Sequence, residues 1–490
     1  MLFTSLTFAL FLPTVFLLHW FACGRSARLQ NLCLIAASCL FYGWWNWRFL
    51  LLVGCNIVAD YLIGLQLGKP MRPATRKLLL GMSITVNLSL LGFFKYFDFF
   101  IASLNGALAA YGVHQFHTLR ILLPLAISYY TLQTMSYSID VYKRSIEPAS
   151  DFPAFAAYIL FFPKLLAGPI ERAGGCLPQF LQQRAFDRAR ASDGLRQILW
   201  GVAKKVVVAD ACAGMVDKVF LHYGAYNGST LLLGAVLYAF QIYADFSGYS
   251  DIAIGLARLF GIRLTRNFAY PYFAKSVAEF WQRWHISLST WLRDFLFLPL
   301  SYALARRIDL ERWLGIRIDR VTGLIATPLT FLTCGLWHGA SLTFAAWGLL
   351  HGLYLIPQIF RRKKRMTRPP AGVARIIFAA RGLGQAGVTF LLVTAAWIIF
   401  RSDDIYQAAG YLGGIVSPSL FAMPQLLPWN LLLLIGILTA VEWLQRERPY
   451  GLDLAGYPVP KLARWLGYSV LIALIVASSG KPVSFIYFRF

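Results

Sequence analysis

The sequence predicts an all-α protein that crosses a membrane many times, and three observations carry that prediction. Of 490 residues, 58% are hydrophobic and 14% charged, more apolar side chain than a soluble core can bury. The apolar residues gather in runs of helix length separated by short basic stretches. These runs lack the in-out alternation of an outer-membrane barrel strand, so the backbone groups that lipid cannot hydrogen-bond must be satisfied inside helices.

Taken in order, the runs fall at 4–22, 30–46, 48–67, 78–103, 119–140, 153–170, 195–213, 229–260, 323–336, 338–359, 376–400, 428–444 and 465–479. They imply about 10 to 13 membrane-embedded helices. Some should be re-entrant, because 119–140, 195–213 and the pair around His338 are short or polar for full spans. No basic residue precedes the first apolar stretch, and Arg25 and Arg28 follow it. That order is the reverse of a cleaved signal and predicts a retained first helix.

Basic residues then set the orientation. The GRSAR turn and the GKPMRPATRK loop are basic, while the turn between the second and third runs is nearly neutral, which places the N-terminus outside the cytoplasm. RRKKRMTR at 361–368 is the strongest basic block, and the stretch before the last run carries Arg446, Arg448, Lys461 and Arg464. The C-terminal tail therefore also lies outside, the crossings are even in number, and at least one run does not span. The net charge of +24 reads as this positive-inside anchoring, not as a nucleic-acid footprint. Seven cysteines lie scattered without CxxC spacing, which predicts neither a disulfide framework nor a metal site. No internal repeat or linker divides the chain, so 1–490 reads as a single membrane domain.

The segment 263–300 mixes aromatics with charges at nearly every turn, as amphipathic helices at an interface or helices lining a polar funnel do. Within it, His285 shares EFWQRWHISLSTWLRD with Trp281, Trp284 and Trp291. This cluster is either an aromatic belt or the wall of a cavity around a functional histidine.

Polar groups inside the apolar runs are the candidates for chemistry, since an ionisable side chain at membrane depth requires a partner or a task. His338 lies deep in TCGLWHGASLTFAAWGLLHG. Desolvation favours neutral imidazole, the form that accepts a proton from a hydroxyl nucleophile; the alternative is a core histidine bonded between helices. Gly335 and Gly339 beside it admit close approach of a backbone or a thin acyl chain. His351 follows after about 20 Å of helical rise, so the two histidines cannot share a metal ion unless the helix breaks. Asp245 and Asp251 in YADFSGYSDIAIG are structural if paired with Lys204, Lys205 or an arginine, and line a substrate route if they face water. Lys164 in PKLLAGPIER attracts a phosphate-bearing donor or snorkels to the interface. The final FIYFRF, 485–490, is either an aromatic interface anchor or, through Tyr487, a nucleophile.

LWHGAS with the later LHG, FWQRWHISLSTWLRD, FFPKLLAGPIER, ADFSGYSDIAIG and the N-terminal CLIAASCLFYGWW resemble the membrane-bound O-acyltransferase family over nearly the whole chain. The likeness is to its bacterial branch of alginate, cellulose and peptidoglycan O-acetyltransferases and the D-alanyl transfer protein of teichoic acid. The resemblance implies a helical ring around a tunnel, with His338 catalytic and His285 an accessory functional residue. It also implies that Tyr487 relays the acyl group, although Arg489 stands where the family motif has glutamine. The implied reaction takes acetyl from cytoplasmic acetyl-CoA, with no permanently bound cofactor and no metal, to hydroxyls of an extracytoplasmic glycan. A periplasmic or surface O-acetyltransferase would be its partner and a bacterial inner membrane its location. D-alanyl transfer is the alternative within the enzyme class; an envelope transporter or flippase, or a non-catalytic scaffold, are the alternatives outside it.

Overall fold

The computed structural model describes residues 1–109, 116–119, 121–308, 311–313, 315–360, 373–480 and 485–486, of which 373–380 are described by their backbone alone. Tyr487, Arg489 and the basic block 361–368 lie outside the described residues. Among the described residues the chain is mainly helical, with one two-residue antiparallel pair, Arg312 with Arg317 and Trp313 with Ile316, that turns through Gly315. Seven helices are long and apolar enough to cross a membrane among the described residues, and Leu6–Ala22 and Trp429–Leu444 are shorter apolar helices. Of the runs read as short or polar, 195–213 is broken, 119–140 is helical from Ile127, and the pair around His338 forms two helices long and apolar enough to span, Ile318–His338 and Leu342–Phe360. Run 195–213 is helix Arg188–Ala203, a wider π-helical turn Lys204–Ala209, then helix Asp210–Leu221. Run 153–170 is helix Phe152–Leu160 followed by the single turn Phe162–Leu165. The chain divides into two compact units.

The first unit holds residues 1–202 and 249–265. Its helices start at local signals: the Ser5 hydroxyl accepts from the Phe8 N–H, Ser26 from Leu29 and Asp151 from Ala154, each satisfying an otherwise orphaned donor of a first turn. Helices Arg48–Leu67, Pro73–Ala109 and Ile127–Tyr142 enclose a buried carboxylate absent from the sequence reading. Asp60 accepts from Ser83 Oγ at 2.5 Å, Asn87 Nδ2 at 2.8 Å and Ser138 Oγ at 3.1 Å, which is how a carboxylate is accommodated among apolar helices.

The PKLLAGPIER stretch corrects one expectation. Lys164 does not snorkel: it is 2% exposed, with its ammonium 4.5 Å above the Tyr158 ring. Glu171 nearby takes the Thr265 N–H at 2.6 Å and its hydroxyl at 2.9 Å. Asp251 belongs to this unit and accepts from Gln197 Nε2 at 2.7 Å.

The second unit holds residues 203–248 and 266 onward. Helices Ile318–His338 and Leu342–Phe360 form a hairpin whose faces meet through glycine. A Cβ at Gly335 would strike the Phe344 carbonyl oxygen, and one at Gly348 the Phe331 carbonyl oxygen, so the backbones approach more closely than any larger residue permits. Helix Val373–Arg401 follows, then Ile405–Ile415, Trp429–Leu444 and Lys461–Ser478. The last of these buries none of its residues.

Candidate active site

The segment expected to be amphipathic is a set of short helices, Val277–Arg283, Ile286–Leu292 and Leu298–Arg307, with a π-helical turn Arg293–Phe297 between the last two. Capping explains the first, since the Ser276 hydroxyl accepts from the Glu279 N–H. The break before the second is the residue of interest. His285 occupies the left-handed region, φ 42°, an uncommon place for a side-chain-bearing residue that persists only where its surroundings hold it.

What holds it is Asn267. The Ile286 N–H donates to the Asn267 carbonyl at 2.9 Å. Asn267 Oδ1 meets His285 Nδ1 at 3.2 Å, the Ser287 hydroxyl at 2.9 Å and the Ser287 N–H at 3.3 Å. A backbone N–H can only donate, so the amide atom it meets is the oxygen, and an oxygen there requires the proton on His285 Nδ1. The ring therefore turns the lone pair of Nε2 away from Asn267, and Nε2 has no hydrogen-bond partner among the described residues. His285 lies outside the spanning helices, and burial pushes its imidazole down to about 3, so it is neutral at any ordinary pH. This is a proton acceptor in one fixed tautomer.

The sequence reading left His285 between an aromatic belt and a cavity wall; it is 1% exposed, inside the unit, with Phe246 edge-on at 4.7 Å. His338 ends its helix and is also buried. Trp337 joins the two histidines, 6.2 Å from the His285 ring and 4.9 Å from that of His338. Trp347 and Phe400 stand edge-on to His338 at 5.2 and 5.3 Å.

The helix does break after His338, the condition under which His351 could approach it. Trp347 lies 5.2 Å from His338 and 5.0 Å from His351. The Trp281 indole N–H donates to His351 Nδ1 at 3.2 Å, which leaves that ring's proton on Nε2. His351 is thus a donor and His285 an acceptor, two opposite tautomers fixed by two partners that sequence reasoning passed over. Among the described residues, no three His, Cys, Asp or Glu side chains converge as a metal site would require. Of the two glycines beside His338, Gly335 admits a backbone, and the place of a Cβ on Gly339 is taken by the Phe344 ring.

The same unit contains buried charge. Asp245 pairs through Oδ1 with Lys205 Nζ at 2.8 Å, and Lys205 also reaches Asp210 at 2.8 Å. Lys204 donates to Ser247 Oγ at 2.8 Å. The Tyr243 hydroxyl meets both oxygens of buried Glu442, at 2.8 and 2.9 Å. Phe485 is buried 5.8 Å from Phe246, so the described part of the FIYFRF segment ends on the ring that touches His285.

Comparison with known proteins meets this geometry with a family. The model of the membrane-bound O-acyltransferase family matches residues 41–371. The chain is 38% identical over 421 residues to a probable alginate O-acetylase of Pseudomonas putida, covering 85% of this chain and 80% of that protein. It is 39% identical over 412 residues to the corresponding protein of Pseudomonas aeruginosa, covering 83% and 73%. To a peptidoglycan O-acetyltransferase of Helicobacter pylori it is 33% identical over 441 residues, covering 84% and 79%.

Proposed function

The chain belongs to the membrane-bound O-acyltransferase family, and from that premise we propose that it acetylates an extracytoplasmic polysaccharide from a bacterial inner membrane. It is a multi-pass membrane O-acyltransferase. The proposal adds the donor, cytoplasmic acetyl-CoA, the direction, outward, and the route, through Tyr487. One observation carries it: in the second unit His285 and His338 flank Trp337, and Phe485 of the FIYFRF segment reaches the Phe246 ring that contacts His285.

In the first half-reaction the Tyr487 phenol oxygen attacks the thioester carbonyl while His338 takes the phenol proton. The C–O bond forms, the C–S bond breaks, and the CoA thiolate leaves with the proton from His338. His285 Nε2, a fixed acceptor, orients the hydroxyl that enters. In the second half-reaction a glycan hydroxyl, or the hydroxyl nucleophile of a periplasmic partner transferase that carries the group onward, attacks the acetyl carbonyl: the new C–O bond forms, the bond to the Tyr487 oxygen breaks, and the hydroxyl's proton passes to the departing phenolate. An aryl ester suits this handover, because a phenol of pKa about 10 is a far better leaving group than a sugar alkoxide.

The test is acetyl transfer from radiolabelled acetyl-CoA onto the purified protein, comparing wild type with His338→Ala and Tyr487→Phe. The proposal expects label on wild type and loss by about two orders of magnitude or more in both variants. Label that persists in Tyr487→Phe overturns the relay, and label obtained only from a D-alanyl carrier thioester overturns the acetyl donor.

A further inference from the structure

Phe485 and Ile486 are 0% and 4% exposed, so something holds them, and two kinds of contact do. The Phe485 ring packs on Phe246 at 5.8 Å. The Ile486 N–H donates to Asp245 Oδ2 at 2.8 Å, across 241 residues of sequence. The other oxygen of that carboxylate is held by Lys205, and Lys205 is fixed in turn by Asp210. An N–H donated to an ionised carboxylate is a charge-assisted hydrogen bond, stronger than one between neutral groups. Both Lys205 and Asp245 are buried, so the carboxylate cannot turn away without leaving a charge unpaired.

We propose that Asp245, oriented by Lys205, is the dock of the C-terminal segment: a positioning residue that fixes Phe485 and Ile486 in register, with Phe485 packed on Phe246, the ring that touches His285. The proposal rests on the reading of Tyr487 as acyl carrier. The contact is to backbone, so the dock fixes register while the Phe485 pocket supplies the side-chain selectivity.

The experiment measures docking without acyl chemistry. Ile486→Cys is introduced into the full-length chain, which keeps the backbone N–H, and maleimide labelling is followed peptide by peptide. Cys334, buried in helix Ile318–His338, reports whether the fold survives. With Asp245 intact, the thiol introduced in the tail labels slowly. Asp245→Ala should speed its labelling about tenfold while Cys334 stays protected, the effect of one charge-assisted hydrogen bond on a local opening. Asp245→Asn should lie between, since its single oxygen cannot serve both Lys205 and the N–H.

Unchanged labelling of the tail thiol in Asp245→Ala overturns the dock. If that variant also exposes Cys334, Asp245→Asn decides: faster tail labelling over a protected Cys334 supports the dock, and labelling at the rate seen with Asp245 intact overturns it. A positioning role also lowers the rate of Tyr487 acetylation in Asp245→Asn with KM for acetyl-CoA unchanged, and a raised KM at constant rate counts against it. The two readings fail separately. Acetylation surviving in Tyr487→Phe removes the relay and leaves docking measurable, while unaltered labelling removes the dock and leaves the relay standing.

Discussion

Replacing Asn267 by alanine should disable the enzyme through His285, 18 positions further along the sequence. The substitution removes one oxygen that accepts from His285 Nδ1, Ser287 Oγ and Ser287 N. The His285 Nδ1–H loses a bond of about 1 kcal/mol. The Ser287 hydroxyl, already 3.4 Å from that nitrogen, is then free to donate to it, which favours the opposite tautomer by about another 1 kcal/mol. The combined swing of about 2 kcal/mol corresponds to a loss of about 30-fold in the population with Nε2 unprotonated. Single-turnover acetyl loading should therefore slow about 30-fold, with little change in KM for acetyl-CoA. Asn267→Asp keeps the acceptor and should recover most of the rate near neutral pH. Its charge also raises the proton affinity of His285, so activity should fall away on the acid side, where wild type holds. An alanine variant within about twofold of wild type, or an aspartate variant no better than alanine, would refute the claim that this oxygen sets the tautomer.

Two further outcomes follow from contacts already described. Gly335→Ala drives a methyl group into the Phe344 carbonyl and should cost about 1–3 kcal/mol, seen as a lower melting temperature in detergent, whereas Gly467→Ala, with open space around it, should leave melting unchanged or raise it. His285 is pushed down to about 3 when folded and returns to about 6.5 when unfolded, so the unfolded chain binds the extra proton between those values. Melting temperature should then fall as pH is lowered from about 6.5 toward about 3, and His285→Gln should flatten that dependence; an equal slope in the variant would show that other groups carry it.

What the sequence disclosed was whatever a local signal can encode. His338 and His285 stood out because an imidazole inside an apolar or aromatic stretch is conspicuous where it sits, and the runs 323–336 and 338–359 matched two helices, although His338 ends the first helix instead of opening the second. Gly335 was legible as a point of close approach. The residues that set the chemistry of the histidines were not. Asn267 is an ordinary loop amide until the chain returns at His285, and Trp281 counted as one aromatic among many until His351, 70 residues on, met its indole. Lys164 lies at a helix end, where snorkelling is the usual outcome, and its burial is explained by the Tyr158 ring beneath its ammonium and the attraction of the Glu171 carboxylate. Asp245 was recognised as needing a partner, and Lys205 was among those considered, but a hydrogen bond to Ile486 spans too much chain for any periodicity to register.

Helix Lys461–Ser478, which buries none of its residues, is separated from Phe485 by six residues. Segment and receptor belong to one chain, so docking is intramolecular and needs far less intrinsic affinity than a contact between separate molecules. A contact too weak to hold a free peptide would thus be occupied nearly all the time, yet each individual stay would be brief. An acyl carrier that must take its cargo from one partner and surrender it to another needs that combination of high occupancy and rapid exchange.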